Sequence, residues 1–276
     1  MRERNEKILL LRLDDTSPFY RDNHRFINCS FFRVHLIMKI IGITRVRNES
    51  HIIGDTLEHV SKLVDGIIVM DDCSTDNTFN ICHNCNSVIR IYKNKNIWET
   101  DPNKRTILEG KHRQMLYNWA LEFNPDWIYY FDADEFADFE GIDFTADAYK
   151  LRLWDYYITP EDKNLTWKDR KWIGPEYRDI TMLFRPHPSI RFSSRVPKLP
   201  ASYVIKKQGS VKHYSKAISV ENWEETCQYY INHLNEPEKG FKQKWQNRIG
   251  KAIHTKSDFG RDLITWEDRN SKGIKL

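Results

Sequence analysis

The chain has 276 residues, 40% hydrophobic and 13% aromatic with nine Trp, which excludes a disordered, collagen-like or coiled-coil chain. Lys plus Arg number 43 and Asp plus Glu 39, a formal charge of +4 that argues for no nucleic-acid partner. Five Cys, a low and odd count, lack the paired framework of an oxidising compartment, so reduced thiols in the cytoplasm are expected.

The longest apolar-looking stretch, Phe26 to Ile43, is interrupted by Arg33, His35 and Lys39, and falls short of the roughly 20 apolar residues of a membrane span. Arg12, Asp14 and Asp15 stand where a signal peptide would carry small residues, so an unsecreted chain without a span is expected. Residues 1–37 show no period and are read as an N-terminal extension without an assigned role. Lys39 to Thr44 is a β-branched apolar run predicting a buried strand, and Ile53, Leu57, Val60 and Val64 then recur at helical spacing. Asp65-Gly66 closes that helix before a second strand, Ile67 to Met70. The pattern repeats with a short helix from Asn77 and a strand from Val88 to Tyr92. A long helix follows, marked by Leu108, His112, Met115, Trp119, Ala120 and Phe123, and it ends near Pro125 before the strand Trp127 to Phe131. Strands alternating with helices predict an α/β fold whose mainly parallel, Rossmann-like sheet carries helices on both faces.

Beyond residue 140 the alternation stops. Tyr149 to Ile158, Ile180 to Phe184, Tyr203 to Ile205 and Ser210 to Tyr214 read as strands, and Val220 to Leu234 and Lys242 to Ile253 as helices. The expected organisation is therefore an extension (1–37), a single domain (38–235, with a nucleotide-type half to 136 and an irregular mixed half from 137), and a helical tail (236–276).

Ligands of open α/β sheets bind at the carboxyl ends of strands. Three polar clusters sit there: Arg45-Val46-Arg47-Asn48-Glu49, Asp71-Asp72-Cys73-Ser74-Thr75-Asp76 and Asp132-Ala133-Asp134-Glu135. In an extended segment Asp132 and Asp134 point the same way, a pair of hard oxygen ligands suited to Mg²⁺ or Mn²⁺. Ser74, Thr75 and Asp76 equally suit a helix N-terminus. Cys82-His83-Asn84-Cys85 has zinc-like local spacing but lacks a second pair at a suitable distance.

In order and spacing, Ile43 to Glu49, Val69 to Thr78 and Tyr130 to Phe136 resemble the motifs of a family 2 glycosyltransferase of the GT-A fold, over roughly Met38 to Tyr230. The resemblance implies a DxD motif at Asp132 and Asp134, with His213 in Val211 to Ser215 as a third metal ligand. It also implies nucleotide-sugar contacts from Thr44, Arg45, Arg47, Glu49, Asp71, Asp72, Lys111, Arg113, Asp132 and Ala133, with Cys73 where the family often has glycine. The implied reaction is metal-dependent, inverting transfer of a hexosyl or pentosyl group from a nucleoside-diphosphate sugar to a hydroxyl acceptor, expected to be a glycan. The family's usual base is not recognisable, which leaves Asp155, Glu161, Asp162, Glu176 and Asp179, with Asp155 and Glu176 ranked first. Trp154, Trp167, Trp172 and Tyr177 are candidate faces for acceptor sugars. Nucleotidyl transfer is disfavoured because Arg45 to Glu49 contains no glycine. A catalytically inactive carbohydrate-binding or scaffold protein of the same fold is the alternative.

Overall fold

In the computed structural model, which describes residues 38–232 and 240–276, the apolar run after Met38 becomes β1 (Ile40–Val46), buried along nearly its whole length. The expected extension 1–37 and the expected boundary at 235 lie outside the described residues. The helix α1 (Ile53–Val60) buries Ile53, Thr56, Leu57 and Val60, one stripe at helical spacing. Next come β2 (Gly66–Asp72), with all seven residues buried, α2 (Thr78–His83) and β3 (Val88–Asn94). α3 (Pro102–Leu121) starts earlier than its apolar period suggested. The Asp101 side chain accepts from the Lys104 N–H at 2.9 Å and Pro102 occupies the first turn, a capped start that needs no apolar residue. β4 (Trp127–Tyr130) completes this half.

β1 pairs in parallel with β2 and with β4, and β2 with β3, so the strand order is β3-β2-β1-β4. The chain moves one way from β1 to β3 and then returns past β1 to β4. Right-handed crossovers put α1 and α2 on one face and α3 on the other. The contacts agree: α1 packs on α2, and α3 packs on β1 and β2. The reversal of direction between β1 and β4 is the switch point at which a crevice opens beyond the strand ends.

The second half extends the same sheet with mixed pairing: β5 (Glu135–Asp138), β6 (Ala148–Tyr156), β7 (Trp172–Phe184) and β10 (Ile205–His213), in the order β4-β7-β6-β10-β5. A small separate ribbon is made by β8 (Arg191–Phe192) and β9 (Pro197–Lys198). The predicted strands at 203–205 and 210–214 are one strand, β10, kinked at Gly209 with φ of +80°, a backbone glycine adopts readily. After α4 (Val220–Asn232) the expected helical tail is largely absent. α5 (Phe241–Gln246) and α6 (Arg269–Lys272) are short, and β11 (Ile264–Thr265) and β12 (Ile274–Lys275) pair with β7. The tail is part of the sheet because β4 pairs only with Leu183 and Phe184 of β7, which leaves the rest of that edge free, while β6 covers the opposite edge. Met38–Leu276 is one compact α/β unit. Its main core holds Trp127, Tyr129, Tyr130, Phe131, Tyr149 and Phe184.

Among the described residues no helix is long and apolar enough to cross a membrane.

Candidate active site

A cleft of about 730 Å³ opens at the carboxyl ends of β1 and β4. Arg45 to His51, Asp76, Trp98, Arg105, Glu109, Arg113, Asp132 to Asp134, His213 and one face of α4 line it.

The first two strand-end loops are stitched together. The backbone N–H groups of Asn48, Glu49 and Ser50 donate to Ser74 Oγ (3.0 Å), Thr78 Oγ1 (2.7 Å) and Asp76 Oδ2 (3.0 Å). Asn48, with φ of +54°, returns its Oδ1 to the Thr75 N–H at 2.8 Å. Cys73 has φ of +65°, the left-handed conformation that explains why glycine suits this position. Asp71 is buried and turns the loop by accepting from the Ser74 N–H at 3.0 Å, while its Oδ2 has no partner among the described residues. Asp72 is ion-paired to Arg45, accepts from Asn94 Nδ2 at 2.7 Å and lies 3.6 Å from His112 Nδ1. Burial alone would raise its pKa, yet His112, Arg45 and Asn94 together hold it well below the usual carboxylate range. Thr44, Asp71 and Asp72 thus form the floor behind the cleft, and Arg45, Arg47 and Glu49 face it.

Past β4, the carboxylates divide in role. Asp132 receives Arg113 Nη2 at 2.9 Å and Arg195 Nη2 at 3.2 Å. Burial disfavours its charge, but the two guanidinium groups lower its pKa to about 2. Arg195 also pairs with the buried Glu135, whose carboxylate accepts from the Asp132 N–H at 2.9 Å. The loop carrying Arg195 reaches this point because it packs on Gly110 of α3, where a Cβ would come within 2.7 Å of the Ser193 backbone. Asp134 instead faces His213, with Oδ2 3.3 Å from Nε2. The carbonyl of Ala133 accepts from Thr56 of α1, which fixes the turn between the two acids.

The sheet register explains His213. It closes β10, opposite Asp155 of the parallel β6 and Glu135 of the antiparallel β5. Asp155 Oδ1 lies 2.5 Å from His213 Nδ1, which leaves Nε2 for the cleft. Against the effect of burial, Asp134 and Asp155 raise the imidazole to about 10. Asp155 itself sits far below the carboxylate range despite burial, held there by His213, Lys216 and Arg178.

Several expected site residues lie elsewhere. Asp155 does not line the cleft: it orients His213 and is also met by Arg178 (2.8 Å) and Lys216 (3.4 Å). Glu176 is buried in β7 and accepts from Ser257 Oγ at 3.0 Å, with Arg261 at 3.3 Å. Asp162 is buried against Arg170, Asp179 lies 3.4 Å from both Lys207 and Lys275, and Glu161 is exposed off the cleft. Lys111 is exposed and off the cleft, because two helical steps of about 100° each turn it away from the buried Arg113. Trp154 is fully buried on Tyr177, and Trp167 packs on Phe136 and Tyr214, so these rings belong to the core; Trp172 also lies off the cleft. Burial raises the Cys82 thiol to about 12, as expected of a structural cysteine.

Residues missed from the sequence are Trp98, Arg105, His112, Arg195 and the α4 face Asn222, Glu225, Thr226 and Tyr229. That face was legible as polar residues at i, i+3, i+4 and i+7. Asn222 Nδ2 lies 3.2 Å from His51 Nε2, while Glu225 has no hydrogen bond or ion pair among the described residues.

Among the described residues no group of three or more His, Cys, Asp or Glu is arranged to hold a metal ion by itself. Asp134 and His213 supply one oxygen and one nitrogen, while Asp132 is occupied by arginines. Such a pair suits a cation that brings its remaining ligands from substrate phosphates.

No family model matches the chain. It is 29% identical over 145 residues to uncharacterized proteins of Mycobacterium bovis and Mycobacterium tuberculosis, a match covering 52% of this chain and 33% of each relative. The chain thus matches about a third of the length of these curated relatives. Similar solved structures include a mycobacterial protein, with 19% identity and a TM-score of 0.28 over 45% of this chain and 42% of that one. Another is glucosyl-3-phosphoglycerate synthase from Mycobacterium tuberculosis, crystallised with Mn²⁺, UDP and glucosyl-3-phosphoglycerate. It shows 18% identity and a TM-score of 0.28, over 47% of each chain.

Proposed function

We propose that the protein is a metal-dependent glycosyltransferase of the GT-A, family 2 type, moving a sugar from a nucleoside-diphosphate donor to a hydroxyl acceptor with inversion. The observation that carries this reading is the pairing of Asp134 with an oriented His213 at the switch-point cleft, beside the loop Arg45 to Glu49. Asp134 Oδ2 and His213 Nε2 would hold Mn²⁺ or Mg²⁺ together with the donor's diphosphate. When bound, the cation neutralises charge on the departing nucleoside diphosphate. The residues of this chain do the rest. Arg45 and Glu49 face the donor, and Arg113 and Arg195 keep Asp132 ionised and immobile at the cleft edge. Asp155 keeps His213 Nε2 directed at the cleft. Proton removal from the acceptor falls to a cleft carboxylate, and Glu225, free of cationic partners among the described residues, takes that role in place of Asp155 or Glu176.

An inactive carbohydrate-binding protein is the second reading, favoured by the cationic pairing of both sequence-ranked bases. Thermal unfolding with UDP, GDP, CDP, ADP and dTDP, each with and without Mn²⁺, separates the two when combined with donor turnover. One nucleotide should stabilise only with metal, by about 2.7 kcal/mol at about 100 times its Kd. Asp134→Asn should abolish that shift and slow transfer roughly 10²–10³-fold. No shift with any nucleotide overturns the proposal; a metal-dependent shift without transfer or donor hydrolysis favours the second reading.

A further inference from the structure

One part of the cleft wall brings together Arg47, Trp98 and Arg105, with the Tyr229 ring packed on Arg47 at 5.3 Å. The Arg47 guanidinium lies over the Trp98 ring with its carbon 4.1 Å from the centroid, and Arg105 approaches the same ring at 5.4 Å. Arg47 Nε, Arg105 Nε and Trp98 Nε1 are all buried without a hydrogen-bond partner among the described residues. Neither arginine has an ion pair or side-chain hydrogen bond there, unlike Arg45 with Asp72 and Arg113 with Glu109 and Asp132. A guanidinium and an indole N–H cannot accept, so nothing within the trio can satisfy its own donors. Arg45 and Arg195 also carry an unpartnered Nε, but each meets a carboxylate, whereas Arg47 and Arg105 meet none among the described residues, which leaves two guanidinium charges on the cleft wall for a ligand. Two guanidinium forks around a flat ring suit a planar or tetrahedral oxyanion.

On the glycosyltransferase reading, a single divalent cation at Asp134 and His213 already balances a sugar-nucleotide diphosphate. Two unpaired arginines then remain. We infer that Arg47, Arg105 and Trp98 form a second anion subsite, which holds a phosphate or carboxylate group of the acceptor. The inference rests on the donor reading for its division of labour, but the anion site itself rests on the trio. It narrows the acceptor to an acidic molecule rather than a neutral glycan end.

The test is calorimetric titration of inorganic phosphate into the full chain, saturated with Mg²⁺ and whichever nucleoside diphosphate stabilises it. Saturable phosphate binding to the loaded protein is expected, weakened about tenfold or more by Arg47→Gln or Arg105→Gln. Lys104→Gln, an exposed neighbour on α3, should leave it unchanged, and Arg105→Gln should retain nucleotide affinity, which also reports its folding. Phosphate that competes with the nucleotide overturns the inference, since the arginines would then serve the donor. Equal phosphate binding by all four proteins, or none by the wild type, overturns it as well. If no nucleotide binds, the donor reading fails separately, and the same titration on nucleotide-free protein decides whether the trio holds an anion.

Discussion

The two halves of the sheet treat their acidic residues in opposite ways. In the parallel half, acids follow strands whose ends all point to one edge, so Glu49, Asp76, Asp132 and Asp134 reach a common cleft without help from distant segments. In the mixed half, strands run both ways and the acids fall along their lengths. There Asp155, Asp162, Glu176 and Asp179 each sit beside Lys or Arg and stabilise the fold. His213 is the exception: it ends a strand of the mixed half, at the edge where the parallel strands also end. Parallel topology thus makes an acidic strand end a dependable sign of a site, and antiparallel topology removes that sign.

The comparison can be broken at three points. The largest expected effect is at Asp72, an acid of the parallel half that lies under the cleft, its side chain only 4% exposed. Asp72→Asn should cost about 3 kcal/mol at pH 7 in urea denaturation, because Arg45 is left without its counter-charge. The pKa of Asp72 is depressed in the folded state, so its contribution is present above the unfolded value of about 3.9 and is lost as pH falls toward the folded one. The gap between wild type and variant should therefore close progressively below about pH 4; a gap that persists in acid would show that the pairing is not electrostatic.

Asp155 sharpens the contrast, since it belongs to the mixed half yet acts on the site through His213. Asp155→Ala should weaken metal-dependent nucleotide binding about 10–100-fold, with Asp155→Asn recovering part because its amide oxygen still accepts from Nδ1. An unchanged affinity in both variants would make Asp155 a purely structural residue. Glu176→Gln should give the smallest effect, about 1 kcal/mol of stability from a weakened contact with Ser257 and Arg261, with turnover within about twofold. Loss of turnover at an unchanged unfolding midpoint would return Glu176 to the chemistry.

What the sequence by itself determined was the parallel half and its strand-end loops, because buried parallel strands are continuous apolar runs and the polar residues that follow them lie at the crevice. The alternation of strands and helices, the buried stripe of α1, and the convergence of Arg45 to Glu49 with Asp132 to Asp134 were legible there, whereas the apolar period of α3 pointed to the wrong face: Gly110, Arg113, Leu116, Tyr117 and Ala120 are buried and Met115 is exposed. The tertiary structure alone decided the partners. Nothing local separates Asp134, which faces His213, from Asp132, which is held by Arg113 and by Arg195 from a loop that packs on Gly110. Nor does any local period reveal that β10 sets His213 between Asp155 and Glu135, or that the tail joins β7. These pairings are long-range in sequence. They are fixed by sheet register, and register is set only when the whole set of strands packs.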